Sequence, residues 1–297
     1  MTGKNYTVIG ATGGPGLGIF ARLALRGERV TGLARRSAPI AALSGILAAR
    51  GLDNARLLQA DLSQPGGAEF EALSATTHLV GASRAPFVRL LATQMPHLRQ
   101  ILALGSTRVY TRFPDARMAE MQALEDWLKG QTVPWALIHP TMIYGATGYN
   151  NVERVRKLLK WVPLIPLPEG GKSLIQPVHS DDVVDAAINA LEDSRFTGRI
   201  MILAGPQPVS YRGFIQAIAR QMGKRVYICS LPTGLLQLGS WLTRWIPGLP
   251  KIGTDEVRRL LEDKDFDTTD TKALLGRSPL SLEKGLSRYY SMPDHFS

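Results

Sequence analysis

Gly10, Gly13 and Gly16 recur at every third position of YTVIGATGGPGLG, between a β-rich run and the helical apolar series Leu17, Phe20 and Leu23. A backbone that must turn sharply and bring a phosphate onto its N–H groups at a helix start needs glycine there, because a side chain would stand between them. The bare spacing is weak evidence, and an incidental tight βα turn is the alternative. Strand before and helix after, at the head of an alternating chain, favour a dinucleotide pyrophosphate. The expected cradle comprises Gly10, Thr12, Gly13, Gly14, Pro15 and Gly16. Pro15 has no N–H to give the anion, although its fixed φ suits the first turn of a helix.

Two further places sharpen the ligand. The second β-rich run ends GLARR, setting Arg35 and Arg36 where the adenosine ribose should lie. An acidic residue there would favour a free 2′-hydroxyl, whereas arginine grips a 2′-phosphate, so NADP is expected ahead of NAD. Solvated loop charge is the plainer account of both arginines. Asp61 and Leu62 end the third run, placed to contact the adenine or, for the aspartate, to make a turn.

Groups suited to proton transfer lie farther along. Ser106 and Tyr110 follow the run RQILALGS, and His139 and Tyr144 fall within WALIHPTMIYG. All four are expected near strand ends, where open α/β sheets bind ligands. Each has a plainer reading: nicotinamide contact alone for Ser106, packing for the tyrosines, and a packed ring with one satisfied hydrogen bond for His139.

Alternating elements are what must hold these residues. YTVIG, RVTGLAR, ARLLQADL, THLVGAS, RQILALGS and WALIHPTMIYG read as strands separated by helical stretches, which predicts βαβ units, a doubly wound parallel sheet and the α/β class. SDDVVDAAINALED reads as a helix capped by Ser180, with Asp181 and Asp182 at the positive end of its dipole, and RIMILAG at 199–205 as a further strand. The proline-broken stretch after the helix near 150–160 cannot be a central strand and is expected over the carboxyl edge. Ser210 is a candidate N-cap, with Val209 and Phe214 at staple positions and Gly223 as the stop. The predicted division is a Rossmann domain of residues 1–146 and 174–205, with 147–173 and 206–297 as a smaller C-terminal lobe.

Composition narrows the classes. The one cysteine, Cys229, excludes an intrachain disulfide framework and a cysteine metal cluster, and no metal site is expected. The N-terminus does not resemble a signal peptide, and the most apolar stretch, 231–250, is broken by Pro232, Pro247 and Pro250 and carries Arg244, so a cytoplasmic protein is expected. A formal charge of +10 is scattered without a basic run, which reads as solvated surface charge that also attracts a phosphorylated ligand. Nucleic acid is disfavoured for want of a basic reading helix.

In these motifs the chain resembles the short-chain dehydrogenase/reductase superfamily, in its extended or atypical branch of epimerase/dehydratase-like proteins. The resemblance rests on GATGGPG at 10–16, ADL at 60–62, GSTRVY at 105–110, HPTMIYG at 139–145 and QPVHSDDVVDAAINAL at 176–191. It implies a Rossmann fold and a nicotinamide cofactor. Ala82, Ser83, Pro140 and Met142 join the expected cofactor contacts. It also implies a serine at Ser106 and a Tyr-x-x-x-Lys pair on the next helix, the tyrosine exchanging a proton with the substrate oxygen and the ammonium lowering its pKa. With Glu125 aligned to the family's usual glutamate, that pair falls on Arg117 and Met121, and none of the eight tyrosines has lysine four residues ahead. His139 stands where relatives usually carry arginine.

Two functions follow as expectations. One is an NADP-dependent oxidoreductase or epimerase/dehydratase-type enzyme with a substituted proton donor, acting on a small molecule such as a sugar nucleotide, a quinone or a carbonyl compound. The other is a non-catalytic NADP(H) sensor or scaffold, resembling NmrA-like regulators and the complex I accessory subunit of this fold. Trp241 and Trp245 pack the lobe's core or dock a partner or a membrane surface.

Overall fold

The computed structural model describes residues 3–63, 70–145, 150–232 and 261–291. The first half alternates β1 (Asn5–Ile9), α1 (Gly14–Leu25), β2 (Arg29–Ala34), α2 (Ser37–Ala49), β3 (Ala55–Gln59), β4 (His78–Gly81), α3 (Ala85–Ala92), β5 (Gln100–Leu104), α4 (Ala116–Lys129) and β6 (Trp135–Pro140). There follow β7 (Ile143–Tyr144), α5 (Asn150–Trp161), β8 (Leu164–Pro168), β9 (Leu174–Ile175), β10 (Val178–His179), α6 (Ser180–Glu192), β11 (Arg199–Leu203), β12 (Val209–Ser210), α7 (Tyr211–Gln221), β13 (Tyr227–Leu231), α8 (Thr269–Leu275) and α9 (Leu282–Ser291). The main sheet has seven strands in the order β3-β2-β1-β4-β5-β6-β11. All its pairings are parallel. This is the doubly wound α/β fold expected from the alternation, and its order reverses between β1 and β4, which opens a crevice at their carboxyl ends.

Strands covered on both faces need continuous apolar runs, and β4 and β6 are buried at every position. One face packs beneath α1 and α6, the other beneath α3 and α4. Gly18 lets α1 and α6 meet, since a Cβ there would lie 2.6 Å from Val184 Cγ2. Arg22 and Asp185 then pair across the two helices at 3.1 Å.

A third apolar cluster joins α5, β8 and α7 with Leu282 and Leu286 of α9. The proline-bearing stretch forms β8, paired only with β13 and outside the main sheet. Ser210 caps α7 as expected, its Oγ accepting from Gly213 N at 3.0 Å. Two local expectations are corrected. The cap of α6 is His179, whose Nδ1 accepts from Asp181 N, and Ser180 is already helical. Helix α8, placed by sequence in the lobe, packs on β11 and α6 of the main sheet: Leu274 and Leu275 enter that core, and buried Thr271 accepts from Ala204 N at 2.8 Å.

Candidate functional site

The glycine loop is shaped by main-chain contacts. Gly10 leaves β1 at φ +82, and the N–H groups of Gly10 and Ala11 both donate to Leu33 O at the end of β2. A Cβ on Gly10 would lie 2.7 Å from Ala82 O, and one on Gly16 would collide with Gly10 O. Gly13 differs: it is extended at φ −169, forms the N-cap of α1, and a Cβ there would meet nothing within 4 Å. The loop is therefore tight behind and open in front. The first turn of α1 carries no acidic residue, and its N–H groups lack acceptors within the helix, apart from Pro15, which has none to offer.

The other expected ligand contacts border this opening. Ala82 and Ser83 follow β4, with Ala82 N donating to Ile9 O at 3.1 Å. Thr12 is partly buried, whereas Arg35 and Arg36 are exposed beyond β2. Asp61 closes a turn, its Oδ1 accepting from Ser63 N at 3.0 Å and Ser63 Oγ at 2.6 Å. Those bonds chiefly, with the Arg35 charge nearby, hold its carboxyl below the usual range. Leu62 is partly buried and packs against the core. Pro140 ends β6, and Met142 accepts from Val178 N. Open Gly13, an acid-free helix start and two arginines beyond β2 suit a dinucleotide with a 2′-phosphate; Pro15 alone detracts.

At the β5 and β6 end the surface is made of side chains. Ser106 caps the short turn Thr107–Tyr110, its Oγ accepting from Arg108 N at 3.2 Å, which leaves its hydroxyl proton available. Its own N–H donates to Nδ1 of His139 at 3.0 Å. Because Nδ1 accepts, the proton of this wholly buried ring belongs on Nε2, which lies 3.1 Å from Glu125 Oε1. That contact is close but misaligned, so neither atom has a true hydrogen bond. Burial lowers the pKa of His139 to about 4 and raises that of Glu125. Gly105 permits the arrangement, since any Cβ there would strike the His139 ring.

Tyr110 stands edge-on to His139, ring centres 6.0 Å apart, and is 50% exposed. Burial of its inner part, then the charges of Glu125 and Asp270, raise its pKa, so its hydroxyl keeps its proton at neutral pH. Phe266 flanks it at 6.1 Å. Buried Gln176 holds Phe266 by main chain, accepting from its N at 2.7 Å and donating to its O at 3.1 Å. Glu262 accepts from Thr111 Oγ1 and Arg112 N, so this strap lies along the rim beside Tyr110.

Tyr144 does not join the group. Its side chain is fully buried in the lobe core, its hydroxyl donates to Ser281 O at 3.3 Å, and burial raises its pKa. It packs against His179 and does not face the crevice, which corrects its candidacy as a proton donor. His139 is equally buried, accepting from Ser106 N and meeting Tyr110 at its ring edge. Ser106, Tyr110 and His139 thus come together, and Glu125, Gln176 and Phe266 complete the group although spacing did not single them out. Glu125 entered the sequence reading only as the residue aligned to the usual glutamate of the resembled family. Arg117 is exposed, and Met121 lies beside Gly105. Two hollows, of about 490 Å³ beside Phe196 and about 420 Å³ at the amino ends of β1 to β3, lie away from this edge and carry none of these groups. The site is assigned by chemistry and not by depth.

The fold is one shared with solved structures of nicotinamide-dependent reductases and epimerases, to which this chain is similar. The NADPH-dependent quinone oxidoreductase of Escherichia coli, solved with NADPH, superposes with a TM-score of 0.72 at 19% identity, covering 96% of this chain and 100% of that one. Triphenylmethane reductase of Citrobacter sp., solved with NADP(H), gives 0.72 at 16% identity over 96% and 100% of the chains. UDP-glucuronic acid 4-epimerase of Bacillus cereus, with NAD, gives 0.70 at 17% over 96% and 98%. Among curated proteins, the chloroplast stem-loop binding protein of 41 kDa b from Arabidopsis thaliana is 27% identical over 158 residues, spanning 48% of this chain and 42% of that relative. No family model matches. No helix among the described residues is long and apolar enough to cross a membrane.

Proposed function

We propose that this protein binds NADP(H) along the carboxyl edge, with the glycine loop on the pyrophosphate and Arg35 and Arg36 at the 2′-phosphate, and reduces a conjugated, electron-poor acceptor of the quinone class. The observation that carries this reading is Tyr110: half-exposed at the rim, its hydroxyl is held protonated beside a neutral His139. A phenol that stays protonated can donate a hydrogen bond, and its proton once charge develops on the acceptor oxygen, but it offers no phenolate to serve as the base for alcohol oxidation, the step with which an epimerase begins. Bound reduced nicotinamide supplies the hydride. Tyr110 and Ser106 donate hydrogen bonds to the acceptor oxygen, a proton passes to it from the Tyr110 hydroxyl, and solvent replaces that proton. An acceptor that spreads charge by conjugation depends less on the strong donor that Tyr-x-x-x-Lys would provide. The quinone and triphenylmethane activities named for two structural neighbours support this class.

Arg117 and Met121, standing where the resemblance puts the catalytic pair, favour a second reading: a non-catalytic NADP(H) sensor or scaffold. Titration with NADPH followed by absorbance at the reduced-nicotinamide band, against quinones, nucleotide sugars and simple carbonyls, separates the two. Turnover of quinones is expected, with kcat falling about 100-fold in Tyr110→Phe while NADPH affinity is unchanged. Binding without turnover across the panel transfers the assignment to the sensor.

A further inference from the structure

The largest exposed aromatic among the described residues is remote from the glycine loop and from Tyr110. Trp161, at the end of α5, is 86% exposed, and Val162, Leu164 and Tyr227 are exposed at 38%, 50% and 64%. They form one patch: Tyr227 is the register partner of Leu164, and its N–H donates to Pro163 O at 2.8 Å. Lys224 joins the same place, its Nζ donating to Leu159 O and Lys160 O at 3.2 Å each.

Among the described residues, the charge around this patch is predominantly positive. Residues 154–164 and 220–231 contain no aspartate or glutamate, yet they supply exposed Arg154, Lys157, Lys160, Lys224 and Arg225. The neighbouring carboxylate is Glu153, which pairs with Arg156 and reaches Lys157 at 4.0 Å. On the main-sheet side several arginines are answered by carboxylates, as in Arg22 with Asp185, Arg199 with Asp270 and Arg277 with Asp182.

We propose that this tip of the lobe seats the protein on an anionic lipid surface, with the apolar side chains entering the headgroup boundary and the lysine and arginine collar at the level of the phosphates. Amphipathic aromatics with a basic rim are what such an interface recognises. Nucleic acid fits less well: Trp161 and Tyr227 can stack on bases, but Val162 and Leu164 gain only by leaving water. A protein partner fits less well because lysine is depleted from protein interfaces. The proposal does not depend on the reductase reading.

The test is co-sedimentation of the full chain with vesicles of phosphatidylcholine alone or mixed with phosphatidylserine, at low and high salt, with a stem-loop RNA as a parallel arm. Binding to the serine-containing vesicles that weakens with salt is expected. The double variant Trp161→Gln/Tyr227→Gln should lose about tenfold or more of the partition coefficient, and Lys160→Gln/Arg225→Gln about fivefold per charge. All four side chains are exposed, so an unchanged thermal midpoint should certify folding, and solution NADPH binding should stay as it was. Trp241 and Trp245 lie outside the described residues and remain in every variant. Vesicle binding that survives both double variants, absence of binding to anionic vesicles, or RNA binding lost in these variants without vesicle association each overturns the proposal.

Discussion

At the β1 end of the carboxyl edge the ligand-facing surface is main chain, whereas at the β5 and β6 end it is side chain. The glycine loop is held by contacts of Gly10, Ala11 and Gly16 with carbonyls of β2 and of the loop itself. The opposite end is held by the hydrogen bonds of Ser106 to His139 and of Gln176 to Phe266. A main-chain cradle tolerates any change that preserves its glycines. A side-chain cluster can be rebuilt from other residues while the fold stays the same, so a nucleotide-binding frame can persist where the chemistry has changed.

The largest expected effect tests the first half. Gly16→Ala should cost about 3 kcal/mol or more and impair folding, because its Cβ would collide with a backbone carbonyl that cannot step aside. Gly13→Ala should leave the thermal midpoint within a degree or two, since nothing fills the space its Cβ would enter. It should nevertheless weaken NADPH roughly tenfold by standing where the phosphate approaches. Unaltered NADPH affinity in Gly13→Ala would show that the open front of the loop is not the anion site.

Acid should act on the second half. His139, with a folded pKa near 4 against 6.5 when unfolded, contributes full stability above about pH 6.5 and loses it as pH falls towards 4. The loss is on the order of 3 kcal/mol from this residue. His78, lowered to about 4 by burial, adds a loss of the same sign. Glu125, raised by burial, takes up its proton earlier in the folded state and offsets part of it. His139→Asn keeps an acceptor for Ser106 N–H and should flatten the stability profile between pH 6.5 and 4 in chemical denaturation. An unchanged slope would remove His139 as its source.

The same contrast explains what the sequence made legible. Glycine spacing, apolar runs and capping residues are local signals, so the doubly wound sheet, its first crevice and the Ser210 cap could be read along the chain. Ser106 with His139 and Gln176 with Phe266 join residues 33 and 90 apart in sequence, and no spacing announces them. Tyr144 misled for the same reason: its place after β6 suggested the rim, while Ser281 and Gly285, distant in sequence, enclose it in the lobe. Helix α8 returned to the main sheet because Thr271, Leu274 and Leu275 complete the core beside β11, a tertiary preference with no trace in local periodicity.

The smallest expected effect concerns the cofactor's phosphate. Arg35 is exposed at the end of β2, and its guanidinium acts on Asp61 through the field alone. Removing it leaves the loop, α1 and the sheet untouched, so Arg35→Ala should not alter stability. A charge-assisted contact to phosphate in a solvated position is worth about 1.5 kcal/mol, or about tenfold in Kd. NADPH should therefore weaken by about that factor and NADH hardly at all, and raising the salt should shrink the difference, because a solvated contact is screened. Calorimetry with both cofactors reads the ratio directly. Equal weakening of the two would move Arg35 away from the 2′-phosphate and reduce it to a general electrostatic attractor, leaving Arg36 as the residue to test in its place.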